Sequence, residues 1–328
     1  MANTLIYKDI GVQDEVSFGI SLTANYTRLH VRTVTLNQTI DKMLVEDTTS
    51  NVKGRDRISR IKTTLEGDIT GFITPRGVHQ MLEMVNGAVA TGTSMGASGS
   101  LFTYYQDTSG TSFLSKVVNL DRNNSQEKFL GVRAKSLELT ASDSLAEYTL
   151  SVIAKTYGAG ASMADILGET VKSFNFADNV LQINAGTTIG TAPITHKVSE
   201  WSIKYDNGLE ATYLSGLEDI TRSDPKIPTI EGKFTIFHEG ASWTAGNYGS
   251  SEFYIRLTAT LPSHGGLIAG VSPYVLRIDM PRTELTSTVR NYEQAEFGVE
   301  EIEFKGMFHP GLSLLWRPEL TCGLSIIS

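Results

Sequence analysis

Gly92-Thr93-Ser94-Met95-Gly96 has the Gly-x-Ser-x-Gly form of a hydrolase nucleophile elbow, where a serine is held exposed on a sharp turn. That chemistry needs a strand before the turn and a helix after it. Ser94 instead sits in AVATGTSMGASG (88–99), a stretch poor in side chains that reads as a loop. The six histidines, His30, His79, His196, His238, His264 and His309, are scattered and form no pair at metal-ligand spacing. Ser263-His264-Gly265-Gly266 has the form of an oxyanion loop, but the alternating helix and strand pattern of a hydrolase is absent, so it reads as a turn. Asp206-Asn207-Gly208 reads as a hairpin turn. No P-loop or dinucleotide fingerprint occurs. Trp201, Trp243 and Trp316 lie far apart without basic neighbours, which argues against a stacking platform for single-stranded nucleic acid. The expectation is a non-enzyme with no catalytic residues, no cofactor and no metal.

The elements around these residues carry more information. Of 328 residues, 40% are hydrophobic and 20% charged, enough apolar material for a large core. The net charge of −8 lacks the basic excess of a protein that grips DNA phosphates. One cysteine, Cys322, excludes an intramolecular disulfide framework. The opening MANTLIYKDI does not read as a signal peptide, and no run of about 18 apolar residues reads as a membrane helix. The expectation is a protein made in a cytoplasm and kept out of membranes.

The dominant period is two. Residues 30–40, 135–141 and 146–153 alternate apolar and polar types, the last two joined by Ser-Asp-Ser as a β-hairpin. Further strands are expected over 199–205, 252–257, 274–280 and 298–308. Pro75, then Val78, Met81, Leu82 and Val85 at helical spacing, then Asn86-Gly87 predict one helix. A second short helix is expected over 162–172. Asp41–Arg60 is rich in charge with weak periodicity and is expected to be a long loop.

The chain also repeats itself. TLEGDITGFI (64–73) matches TIEGKFTIFH (229–238) at five of ten positions, 165 residues apart. Residues 31–40 and 198–205 hold equivalent places before the Glu-Gly strand. LELTAS (137–142) resembles TELTST (283–288). The boundary falls at about 157–172, giving a first domain over 1–160 with an N-terminal arm and a second over 161–328.

KTTLEGDITGFITPRGVHQMLEMVNG (62–87), residues 118–156, VSEWSIKYDNGLEATYLSG (198–216) and residues 274–308 together resemble the tail tube proteins of long-tailed bacteriophages, in the group with two tube domains per chain. The resemblance implies a mainly β fold: two tandem β-sandwich or partial-barrel domains with one or two short helices. Inner strands of such domains join edge to edge into a barrel. Here they are expected over 31–40 with 60–70, 135–141 with 146–153, and 198–205, 229–238, 274–286 and 298–308. It also implies a homo-oligomer, trimeric pseudo-sixfold rings or hexameric rings as the alternative. These stack into a tube through Asp41–Arg60 and the first 25 residues. Implied partners are the tail tip initiator, tape measure and tail terminator proteins, with double-stranded DNA passing through unbound. The setting is the virion tail. An acidic wall would keep phosphates from sticking, and Glu66, Glu138, Glu147, Glu231, Glu284, Glu301 and Glu303 are the expected lumen-facing carboxylates. A similar tube in a bacteriocin particle or secretion system usually has one shorter domain. A surface carbohydrate-binding or adhesin β-sandwich remains the alternative, and it predicts exposed aromatics clustered in a cleft.

Overall fold

The computed structural model describes residues 7–21, 26–47, 54–94, 99–106, 113–122, 125–142, 144–160, 173–175, 179–188, 194–214, 217, 219–237, 252–261, 267–268, 272–291 and 299–323. In chain order the strands of the first half are β1 (Tyr7–Ser17), β2 (Ile20–Ser21), β3 (Thr27–Arg28), β4 (Val31–Val34), β5 (Asn37–Asp47) and β6 (Gly54–Phe72). Helix α1 (Pro75–Asn86) follows, then β7 (Thr91–Ser94), β8 (Gly99–Thr103), β9 (Lys116–Arg122), β10 (Ser125–Ala141), β11 (Glu147–Ile153) and β12 (Thr156–Ala159). The second half contains β13 (Asn179–Ala185), β14 (Ile194–His196), β15 (Val198–Asp206), β16 (Glu210–Thr212), β17 (Arg222–Asp224) and β18 (Thr229–Phe237). It ends with β19 (Phe253–Thr260), β20 (Leu267–Ile268), β21 (Ser272–Pro273), β22 (Val275–Asn291), β23 (Val299–Gly306) and β24 (Arg317–Gly323). The protein is mainly β, with one helix among the described residues. The second expected helix, 162–172, lies outside them.

One long antiparallel sheet organises the chain. Its order is β5, with β4 beside it, then β6, β11, β10, β15, β18, β23 and β22. The first four and the last four occur in the same order, and β10 joins β15 across the middle. The registers repeat as well. β4 pairs with β6 through a bulge between Val31 and Thr33, and β15 pairs with β18 through a bulge between Val198 and Glu200. Both positions are offset by 167 residues. β10 and β22 carry bulges at Ala134/Ser136 and Leu285/Ser287, offset by 151.

This register corrects one sequence match. Leu137 lies opposite Leu150, which lies opposite Ile69. Thr288 lies opposite Ile302, which lies opposite Phe234, the counterpart of Ile69. Leu137 therefore corresponds to Thr288, five residues beyond the Thr283 that LELTAS and TELTST would align. An odd slip also exchanges the two faces of a strand, so that short match is coincidental.

β10 and β22, each 17 residues long, leave the long sheet halfway along. The first half of β10 pairs with β9 and β12, and β9 continues to β1. The first half of β22 runs between β19 and β24, which continue to β13 and to β8. These outer sheets close a sandwich over Leu36, Ile69, Leu139, Ile203, Phe234 and Phe304, all buried. Only 283–291 of β22 belong to the long sheet, so the expected inner strand 274–286 is divided between two sheets.

Helix α1 follows its sequence signals. The Thr74 hydroxyl caps it by accepting from Gly77 N at 3.2 Å, Pro75 occupies the first turn, and Gly87 ends it at φ 71°. Asn86 then anchors it to β24 by accepting from Trp316 Nε1 at 3.0 Å, and the Trp316 ring stacks on Tyr205 at 4.6 Å.

Three expectations change. Asp41–Arg60 is not a loop: β5 and β6 continue as a hairpin to the Asp47–Gly54 pair, with residues 48–53 outside the description. Register shifts at Asp41/Lys42 and Val45/Glu46 break the alternation and hide the strands in sequence. Within 88–99, Thr91–Ser94 is strand paired to β8. The N-terminal segment is not a free arm over its described part, because β1 pairs with β9 from Tyr7 to Asp14.

The Glu-Gly repeat now has a physical cause. A Cβ on Gly67 would sit 2.5 Å from Leu36 Cα and from Thr35 O, and one on Gly232 would sit 2.4 Å from Ser202 O. Both glycines admit the close approach of the preceding strand's backbone. Gly67→Ala and Gly232→Ala should each cost about 2–3 kcal/mol in urea unfolding. Gly158→Ala, with open space around it, is the neutral control. An unchanged midpoint at Gly67 would remove this explanation.

Candidate functional site: the polar face and free edges of the long sheet

Alternation gives the long sheet one buried and one solvent-facing surface. Glu66, Glu138, Glu147, Glu231, Glu284, Glu301 and Glu303 all fall on the solvent-facing side, each fully or partly exposed. Asp68, Glu200 and Asp206 share that face. The cations Arg32, Lys204, Lys233 and Lys305 sit among them, and sequence reading missed these. Their signal was the same two-residue alternation, as in Ser202 and Lys204 of β15.

The charges are ordered across the strands. Glu138 lies opposite Lys204, Lys204 opposite Glu231, Glu231 opposite Lys305, and Lys305 opposite Glu284. This row of alternating sign crosses five strands, an arrangement favourable to pairing at each step. Arg32 donates to Glu147 at 3.1 Å, Lys233 pairs with Glu301, and Ser151 donates to Asp68 at 2.5 Å. The Lys233 pKa is raised, chiefly by its hydrogen bond to Glu301. Carboxylates still outnumber cations on this stretch of the face, so it is acidic without being uniformly so.

The sheet keeps two open edges among the described residues. β4 and β5 pair only with β6. Leu285–Asn291 of β22 pairs only with β23. Thr283 fixes which side is open: it pairs with Phe253 on one flank and Gly306 on the other. β22 thus presents a bare flank on the β19 side, as β10 presents the corresponding flank to β15.

The residues singled out for chemistry disperse. Ser94 lies on an exposed strand of four residues, and no helix follows it. His79 is buried on α1, its Nδ1 2.6 Å from Tyr104 Oη and its Nε2 3.6 Å from Glu83. Burial lowers its pKa, which the Glu83 carboxylate only partly opposes. His30, His196 and His309 lie on separate elements, and His238 and His264 lie outside the described residues. No group of histidine, cysteine or carboxylate side chains among the described residues could hold a metal. Asp206-Asn207-Gly208 is not a hairpin turn. Gly208, at φ 58°, redirects the chain, and buried Asn207 donates to Val85 O at 2.6 Å and Ala134 O at 3.1 Å. Trp201 and Trp316 are core residues rather than cleft walls, and Trp243 and the Ser263–Gly266 turn fall outside the description.

What this arrangement can do is pair, edge to edge, with another sheet, around a face already solvated by charge. No curated protein matches the chain significantly. The profile of the family described as phage tail tube protein matches residues 10–305, taking in both sets of four strands and the junction between them. This chain belongs to the phage tail tube protein family.

Proposed function

We propose that three copies join head to tail into a ring, and that rings stack into the tail tube through which DNA passes. The observation that carries this is the β10–β15 seam. It is a finished sheet junction inside one chain, and the two open edges are its counterparts. On this reading 1–160 and 161–328 are two tube domains, and each ring has pseudo-sixfold symmetry. Applying the offsets of 151 and 167 to Ser136–Asp206 and Glu138–Lys204 places Ser287 opposite Thr39 of the next copy, and Val289 opposite Asn37.

Size favours three copies over six. Each chain supplies eight strands. Three supply twenty-four, and strands about 4.8 Å apart tilted by about 40° close a barrel about 50 Å across the backbone. Side chains narrow that to a bore suited to a hydrated duplex, and six copies would double it. The polar face with its seven glutamates lines this bore. Excess carboxylate repels phosphate, and the alternating row leaves no patch of one sign large enough to hold it. The tail tip initiator, tape measure and terminator proteins are the partners at the ends and inside, and the virion tail is the site of action.

A double variant, Thr39→Cys with Ser287→Cys, tests the seam. Buried Cys322 leaves the new pair as the reactive thiols. Mild oxidation of assembled material should give a covalent series ending at the trimer on a non-reducing gel. A series ending at six supports hexameric rings. No disulfide, in rings that form normally, overturns this register.

A further inference from the structure

The rim of the long sheet opposite the β5–β6 hairpin carries a cavity of about 250 Å³. Its floor is Thr140, Ser202 and Lys233, which lie side by side across β10, β15 and β18. Ser144 and Leu145 of the β10–β11 turn, with Trp201, form its wall. Trp201 is 2% exposed, and its Nε1 has no hydrogen-bond acceptor among the described residues. A buried indole N–H left unpaired is costly. The cavity therefore offers a donor that a backbone carbonyl would satisfy. Glu147 and Glu200 also line it, and they outweigh Lys233, so an anion is a poor occupant.

We propose that this cavity receives the distal β5–β6 hairpin of a copy in the adjoining ring, which rests on the stacked-ring reading above. Two observations select that occupant. The first is direction. The cavity lies at the Phe72 end of β6, where Glu147 pairs with Phe72, and the hairpin ends at the Asp47–Gly54 pair. Eighteen residues of strand at about 3.3 Å each separate them by about 60 Å. A hairpin cannot reach the cavity of its own chain, and in a stack it points at the cavity rim of the next ring.

The second is number. The hairpin occurs once per chain, because the matching excursion between β15 and β18 folds back instead of projecting. Its Leu209 and Ile220 pack with Phe113 and Ile153, and Tyr213 Oη donates to Thr63 O at 3.2 Å. The cavity also occurs once per chain, because the counterpart of Trp201 at the other seam is Val34. One hairpin per cavity follows for any ring size.

The test is photocrosslinking in assembled filaments. Benzoylphenylalanine at Leu145, a half-exposed position on the cavity rim, should capture a peptide from 41–60 of another copy, read by mass spectrometry. Ser144→Trp, which fills the cavity from its rim, should leave rings intact and cut filament yield at least tenfold. Filaments whose crosslinks map elsewhere, or Ser144→Trp filaments at normal yield, overturn the cavity assignment and leave the tube reading standing. A chain that forms neither rings nor filaments counts against the tube reading itself.

Discussion

Asp279→Ala should cost about 3 kcal/mol of unfolding free energy, the largest single loss expected from one side chain here. Asp279 is 1% exposed and accepts from Arg256 Nε at 2.6 Å, Arg256 Nη2 at 3.0 Å and Arg317 Nη2 at 2.9 Å, with Arg277 Nε at 3.6 Å. Glu319 takes Arg277 and, at 3.3 Å, Arg317 Nε. Removing Asp279 leaves three guanidinium groups on one carboxylate, and breaking a buried ion pair from one side costs about 3–5 kcal/mol. The arginines keep 20–34% of their side-chain surface, so solvent screening places the effect at the lower end. The cluster ties β19, β22 and β24 together, so urea unfolding reads it directly.

The same residue gives a pH signature. Burial alone would raise the Asp279 pKa, but hydrogen bonds from Arg256 and Arg317 outweigh it and hold the carboxyl below its ordinary value of 3.8. A carboxyl depressed in the folded state contributes stability that is present above the unfolded value and lost as pH falls through the folded one. Wild-type stability should therefore drop below about pH 3.8, and Asp279→Asn should flatten that limb. An equally steep acid limb in the variant would assign the loss to other carboxylates.

The second large effect concerns assembly. Replacing 43–59 by Asn-Gly joins the paired residues Lys42 and Arg60 through a two-residue turn suited to a hairpin. The shortened chain should fold with its melting temperature nearly unchanged, since the removed part projects from the sheet. It should form rings but no stacked filaments under the electron microscope. Filaments of normal length would show that stacking is carried elsewhere.

Much of this was legible beforehand, and the exceptions share a cause. Helix α1 was readable because Pro75 and Gly87 act locally on backbone angles. The β10–β11 hairpin was readable because its alternation is unbroken near the turn. The Glu-Gly repeat was readable because a close backbone contact admits only glycine there, twice. The hairpin of β5 and β6 was missed because two register shifts reset its alternation. The pairing of LELTAS with TELTST misled because strand identity is set by neighbours across the sheet, and a short threonine-rich run carries no record of them. The polar face was read as acidic because Lys204, Lys233 and Lys305 reveal their partners only once the strands are side by side.

β8 comes from the first half of the chain but adds to the sheet of the second, through five residue pairs with β24 from Thr103–Glu319 to Gly99–Gly323. The covalent link through 161–172 is thus not what keeps the halves together. A protease cutting there would leave two fragments that migrate apart on a denaturing gel yet elute as one particle from a sizing column. Either fragment made alone would display a raw strand edge and the apolar flank of Leu320 or Phe102, and would come out of the cell as aggregate.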